Sequence, residues 1–240
     1  MRILQCSAEQ FVKAPAWSRC DNGGDKVFPD QLRRNELWSR CAYNRNMERI
    51  MAASYLFDSD GLVALARYVA PDTLFAFDLD GTLTPIVDDC FAAQSDEPVR
   101  ATLKRMAELA KVAVITGRSR KDALTILGME PHLLVGNHGA EWPVGSESRN
   151  QPFVMNAFTK GEALMAAMAR FGLERAVYFG DDITDEEVFE LKGIDLFGIH
   201  IGNNGQTAAP YYLTKPSALL GLLNSMVGML ELQRNEGLAL

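Results

Sequence analysis

From about residue 59 to the end of the chain, short unbroken apolar runs alternate with longer stretches whose apolar residues recur at helical spacing. Leu74–Phe77, Lys111–Ile115, His132–Val135, Ala176–Phe179 and Ile194–Ile201 have the length and composition of buried strands. Before the first run, Leu62, Leu65, Ala66 and Val69 mark a helix capped by Ser59 and stopped at Pro71-Asp72. Pro98 starts a second helix with Val99, Leu103, Met106 and Leu109 as its core stripe, and Ser119 caps a third that runs to about Leu127. Leu164, Ala167, Met168 and Phe171 line a helix over about 160–171, and Thr184-x-x-Glu187 reads as a capping box opening the next. Leu219, Leu222, Leu223 and Met226 mark the last helix. This alternation predicts an α/β domain: a parallel sheet with helices on both faces and a functional site outside the carboxyl ends of the strands.

Residues 1–46 break the pattern. They mix Gly23-Gly24, scattered charges and the isolated aromatics Trp17, Trp38 and Tyr43 without a sustained period, and are expected to be a poorly ordered arm ahead of a core over 47–240. Charge divides the same way. The net charge is −7, but 1–46 holds eight basic and five acidic residues, leaving sixteen basic and twenty-six acidic in the rest. Such an acidic body argues against broad nucleic-acid or anionic-membrane binding. Cys6, Cys20, Cys41 and Cys90 show no CxxC spacing and read as reduced thiols. Arg2 is followed by no apolar run of signal-peptide length, and no stretch approaches the roughly 18 apolar residues of a membrane span. A cytoplasmic protein is expected.

The polar residues collect where an α/β sheet places its chemistry. Asp78 and Asp80 leave the first run, Thr116-Gly117-Arg118-Ser119 the second, Gly136-Asn137-His138-Gly139 the third, and Gly180-Asp181-Asp182 the fourth, with Asp185 one turn on. All four clusters fall on one edge of the inferred sheet. Solvated loops produce this by chance at one or two strands, less readily at four. Carboxylates at i and i+2 share a strand face and repel unless a cation lies between them, so Asp78 and Asp80 suggest a metal site.

Read together, FDLDGTLTPI (77–86), VITGRS (114–119), TKGEA (159–163) and YFGDDITDE (178–186) resemble, in order, the four motifs of the haloacid-dehalogenase-like (HAD) phosphatases. GNHGAE (136–141) with GDDITDE narrows the resemblance to the trehalose-6-phosphate phosphatase family. The likeness covers roughly residues 55–230 and implies a Rossmann-like core. It also implies hydrolysis of trehalose 6-phosphate to trehalose and phosphate.

The resemblance assigns roles that the chemistry supports. Asp78 is the expected nucleophile, forming an aspartyl-phosphate, and Asp80 the acid that protonates the leaving sugar oxygen before activating water. A hard dication, Mg²⁺, is expected on the Asp78 carboxylate, the Asp80 backbone carbonyl and Asp181, with Asp182 and Asp185 in its outer shell. The Thr116 hydroxyl, the Gly117 amide and the following helix N-terminus suit phosphoryl oxygens, and Lys160 neutralises charge in the transition state. Arg118, Asn137, His138 and Glu141 are expected to face the sugar.

One departure bears on specificity. The family inserts an αβ cap of several dozen residues between the GAE segment and the motif lysine, and this cap reads the disaccharide. Here only Trp142 to Phe158, 17 residues rich in loop formers, separate Glu141 from Thr159. A βαβ unit takes about 30 residues, so the cap is expected to be absent or minimal. Three activities are compatible with this chain: a sugar-phosphate phosphatase with a substitute cover from the N-terminal arm or a partner chain, an open-site phosphatase acting on bulky or varied phosphoesters, and a non-enzymatic aspartyl phospho-acceptor. Asp80 speaks against the last, because an acid/base two residues past the nucleophile is useful only if phosphate is released.

Overall fold

A computed structural model describes residues 53–85, 95–143, 159–202 and 207–237, all within the compact unit Tyr43–Leu240. The expected arm over 1–46 lies outside the described residues, as does most of the 142–158 connection. In chain order the elements are β1 (Ser54–Tyr55), α1 (Ser59–Ala66), β2 (Thr73–Phe77), α2 (Glu97–Ala107), β3 (Lys111–Ile115), α3 (Arg120–Leu127) and β4 (Leu133–Val135). After these come α4 (Lys160–Phe171), β5 (Arg175–Gly180), α5 (Ile183–Phe189), β6 (Asp195–Ile201), β7 (Tyr211–Leu213) and α6 (Leu219–Gly237).

Seven strands form one sheet in the order β1-β7-β6-β5-β2-β3-β4, and every pair is parallel. This is the expected α/β architecture, with the five anticipated strands contiguous as β6-β5-β2-β3-β4. Along β2 the side chains alternate between two cores. Phe75 and Phe77 point to a face covered by α1, α2, α3 and α6, while Leu74 and Ala76 point to the face covered by α4 and α5. Both faces are buried, so all five β2 residues are sequestered and the run reads apolar throughout. Phe77 stacks on its register partner Phe179 with ring centroids 4.8 Å apart.

The strand order reverses between β2 and β5. From β2 the chain steps outward to β3 and β4, then returns to the other side of β2 and steps outward again through β5 and β6 to β7. The carboxyl ends of β2 and β5 therefore form the switch point at which open α/β sheets bind ligands.

Two helix starts differ from expectation. The α1 N-cap is Asp58, not Ser59, and the buried stripe is Gly61, Leu65 and Val69, with Leu62 turned to solvent. Close packing explains this: a Cβ on Gly61 would lie 2.5 Å from the Leu56 carbonyl oxygen, so only glycine lets the helix approach. The capping box of α5 is Asp182 with Asp185, two residues ahead of Thr184 and Glu187. The chain turns immediately after Gly180, and the Asp185 carboxylate draws in the amides that the turn exposes. The short strands β1 and β7, of two and three residues at one side of the sheet, carry no legible period and are held by their partners.

Candidate active site

Asp78 is the first residue past β2. Its amide donates to the Phe179 carbonyl at 2.8 Å, so sheet pairing continues one residue beyond the strand and holds the buried carboxylate at the switch point. The chain then folds into a tight turn tied to one acceptor. The Leu83 and Thr84 amides and the Thr84 hydroxyl all donate to the Leu79 carbonyl, at 2.9, 2.9 and 3.1 Å. Leu79 and Leu83 anchor this turn in the core below. Gly81, at its tip, has φ +79°, and a Cβ there would lie 1.9 Å from Asp181 Oδ2. Gly81→Ala combines a left-handed φ with a clash against a site carboxylate. It is expected to lower stability by about 1–3 kcal/mol, read as a loss of denaturation midpoint.

Lys160 is the first residue of α4, after Thr159, whose hydroxyl caps the helix by accepting from the Glu162 amide at 3.1 Å. Its ammonium is buried between two carboxylates, 2.9 Å from Asp78 Oδ1 and 2.8 Å from Asp185 Oδ1. Burial works to lower the Lys160 pKa, but Asp78 and Asp185 outweigh it and hold the lysine above its ordinary value. Asp185 is fully buried at the centre of this network. It accepts from Lys160 and the Tyr178 hydroxyl at Oδ1, and from the Asp181 and Asp182 amides at Oδ2.

Asp181 leaves β5 beside the turn and accepts from the Thr82 hydroxyl at 3.3 Å. Carboxylate oxygens of Asp78, Asp181 and Asp185 lie within 4.8 Å of one another. Burial pushes Asp78 up to about 8 against the pull of Lys160. Burial, then the Asp185 charge, pushes Asp181 up to about 6. Asp78 and Asp181 thus resist full ionisation, and the all-oxygen donor set they form with Asp185 fits a hard dication.

The remaining predicted residues sit on the loops after β3 and β4. Thr116 is buried; its amide donates to the Val135 carbonyl and its hydroxyl accepts from the Arg118 amide at 3.2 Å. The Arg118 guanidinium grips Asp80 with both arms, Nε to Oδ2 and Nη2 to Oδ1, each at 2.6 Å. The Asp80 carboxylate is thereby held on Arg118 and is not part of the three-carboxylate cluster. Glu141 accepts from the Arg120 amide and the Asn137 side-chain amide, at 2.9 and 3.1 Å, closing the β4 loop onto α3. Asn137 and His138 both adopt left-handed φ, +49° and +53°, a conformation that marks a constrained loop. The His138 ring lies against Gly117, where a Cβ would be 2.6 Å from ring atoms.

Three members of the site are absent from the sequence-based set: Gly81, Thr82 and Tyr178. The first two lie within the first motif and were legible as small and hydroxylated neighbours of its carboxylates. Tyr178 opens the fourth motif, but nothing in the sequence marks its hydroxyl as part of the site. It occupies an ordinary inward position of a buried strand, and only the fold aims its hydroxyl at Asp185.

Residues 76–156 match the trehalose-phosphatase family model. The chain is 32% identical over 133 residues to the trehalose-phosphate phosphatase of Mycobacterium ulcerans, covering 55% of this chain and 32% of that protein. It is 39% identical over 64 residues to a probable trehalose-phosphate phosphatase, G, of Arabidopsis thaliana, covering 27% of this chain and 17% of that one. The chain thus spans about a third or less of the length of these curated relatives. Among solved structures, trehalose-6-phosphate phosphatase of Aspergillus fumigatus superposes with a TM-score of 0.57 at 21% identity, over 73% of this chain and 100% of that one, a likeness of fold. A trehalose-6-phosphate phosphatase related protein does so with a TM-score of 0.55 at 19% identity, over 68% and 100%. The fold of the structures and the sequences of the relatives bear out the resemblance of this chain to the trehalose-6-phosphate phosphatase family of HAD phosphatases.

Proposed function

We propose that this protein hydrolyses a phosphomonoester through an aspartyl-phosphate on Asp78, with trehalose 6-phosphate as its substrate. The observation that carries the reading is the buried Lys160 ammonium joined to both Asp78 and Asp185, with Asp181 alongside. An isolated surface lysine does not justify the cost of burying three charged groups together; a phosphoryl-transfer site does.

In this reading an Asp78 oxygen attacks phosphorus while the bond from phosphorus to the sugar oxygen breaks. Asp80 delivers a proton to that oxygen, then takes one from the water that cleaves the aspartyl-phosphate. Asp80 reaches the leaving oxygen only once Arg118 gives up its two-armed grip, so Arg118 controls when the acid is available. Lys160 and Thr116 face the phosphoryl oxygens, and Gly117, Asn137, His138 and Glu141 shape the approach of the sugar. Asp78, Asp181 and the Asp80 carbonyl would hold Mg²⁺, with Asp182 and Asp185 outside them. Bound there, the cation supplies Lewis-acid charge stabilisation to the transferring phosphoryl group. A cytoplasmic location and a small sugar phosphate as partner, with no nucleic acid or membrane, belong to the same reading. In the described residues, no helix is long and apolar enough to cross a membrane.

A second reading is supported by the 17 residues between Glu141 and Thr159, too few for the family's cap: an open-site phosphatase of broad or macromolecular range. A panel of trehalose 6-phosphate, other sugar phosphates, a nucleotide and a phosphopeptide, assayed with and without Mg²⁺, separates the two. The highest kcat/KM is expected on trehalose 6-phosphate. Equal rates across sugar phosphates would remove the trehalose assignment, and dominant phosphopeptide turnover would select the open-site enzyme. Absence of metal-dependent phosphate release would overturn both.

A further inference from the structure

Asp185 presents a conflict that the site chemistry has to resolve. One of its oxygens lies within 4.8 Å of the Asp78 and Asp181 oxygens, close enough for the three carboxylates to share a cation. Yet it already accepts four hydrogen bonds. At Oδ1 these come from the Lys160 ammonium at 2.8 Å and the Tyr178 hydroxyl at 2.7 Å; at Oδ2 they come from the Asp181 and Asp182 amides, both at 3.0 Å. An ionised carboxylate has about four lone-pair sites. All are taken, so a direct bond from Asp185 to a cation requires one donor to leave.

The four donors are not equally replaceable. The two amides belong to the turn that places Asp181, and Lys160 is shared with Asp78. The Tyr178 hydroxyl serves no other acceptor among the described hydrogen bonds. Its ring is fully buried in β5, edge-on to Phe189 at 5.8 Å, so its reach to Asp185 is set by the strand and not by a flexible chain.

We propose that Tyr178 is a positioning residue: its hydroxyl is the fourth donor on a carboxylate with about four acceptor sites, and by completing that set it keeps Asp185 as the anchor of Lys160 while the cation is left to Asp78 and Asp181. The consequence for catalysis rests on the phosphatase reading above, whereas the consequence for cation binding does not. With the hydroxyl gone, Asp185 becomes a third carboxylate ligand. The cation is then held more tightly, and Lys160 loses part of its fixed place beside Asp78.

Tyr178→Phe in the full chain removes one oxygen and keeps the ring contact. Calorimetric titration with Mg²⁺ is expected to show tighter binding in the variant, by about 10-fold, the scale of outer-shell effects on metal affinity. With p-nitrophenyl phosphate, kcat is expected to fall by about 10-fold while KM stays within about twofold. General damage to the core would weaken cation binding instead, so unchanged or weaker Mg²⁺ affinity overturns the proposal. If the variant does not fold, a crystal structure of the wild-type protein with Mn²⁺ decides it. Direct bonds from the ion to Asp78 and Asp181 but not to Asp185 support the proposal, and a bond to Asp185 overturns it. Tighter Mg²⁺ binding in Tyr178→Phe alongside an inactive wild type would uphold the positioning role while removing the phosphatase reading.

Discussion

Asp78→Asn is expected to abolish phosphate release, lowering kcat by at least about 10⁴-fold, while leaving the protein folded. The amide nitrogen cannot serve as the nucleophile, and the remaining amide oxygen is too weak a base to form an acyl-phosphate. Folding is expected to survive because the wild-type carboxyl is already disfavoured as an anion, its pKa pushed to about 8 by burial. An amide is close in shape to the protonated acid, and its oxygen can still accept from Lys160. A thermal melt with a midpoint at or above that of the wild type, beside loss of turnover on the best substrate, is the expected pair of results. Full activity in this variant would show that the chemistry lies elsewhere.

Lys160→Met has the largest expected effect on stability. Lys160 is the shared partner of two buried carboxylates, and removing one member of a buried ion cluster leaves the others uncompensated, at a cost of about 3–5 kcal/mol. The loss should depend on pH in a definite direction. The folded-state pKa of Asp78 lies above the ordinary carboxylate range. Folded protein therefore binds more protons there than unfolded protein does, and metal-free stability falls as pH rises from about 4 to about 8. Without Lys160 the Asp78 anion is still less favourable, so the decline steepens. Urea denaturation at about pH 5 and about pH 8 is expected to show the larger loss at the higher pH. An equal loss at both would mean that the cost arises without Asp78, from the broken Asp185 pair or from packing.

Much of the fold was legible because its strands are buried on both faces. Leu74–Phe77 and Ala176–Phe179 read as unbroken apolar runs for that reason, and the helices between them carry their stripe at 3.6-residue spacing. The misplaced helix starts share one cause. Whether Ser59 or Asp58 caps α1 depends on Gly61 meeting the Leu56 carbonyl, and whether Thr184 or Asp182 caps α5 depends on where the Asp185 carboxylate finds its amides. Neither contact is written in local periodicity.

The same division holds for the site. Side-chain chemistry placed Asp78, Asp80, Thr116 and Asp181 along one sheet edge, because strands in a parallel sheet all end on the same side, and the family resemblance added Lys160 to them. The sequence alone also determined the short stretch between Glu141 and Thr159, a matter of counting. Only the tertiary structure decided how the charges pair. It set Lys160 between Asp78 and Asp185, turned Asp80 onto Arg118, and brought the Tyr178 hydroxyl to the last free lone pair of Asp185. The physical reason is range. Backbone periodicity and strand direction follow from neighbours in sequence. Which donor meets which carboxylate depends on differences of about an ångström between elements up to a hundred residues apart in the chain.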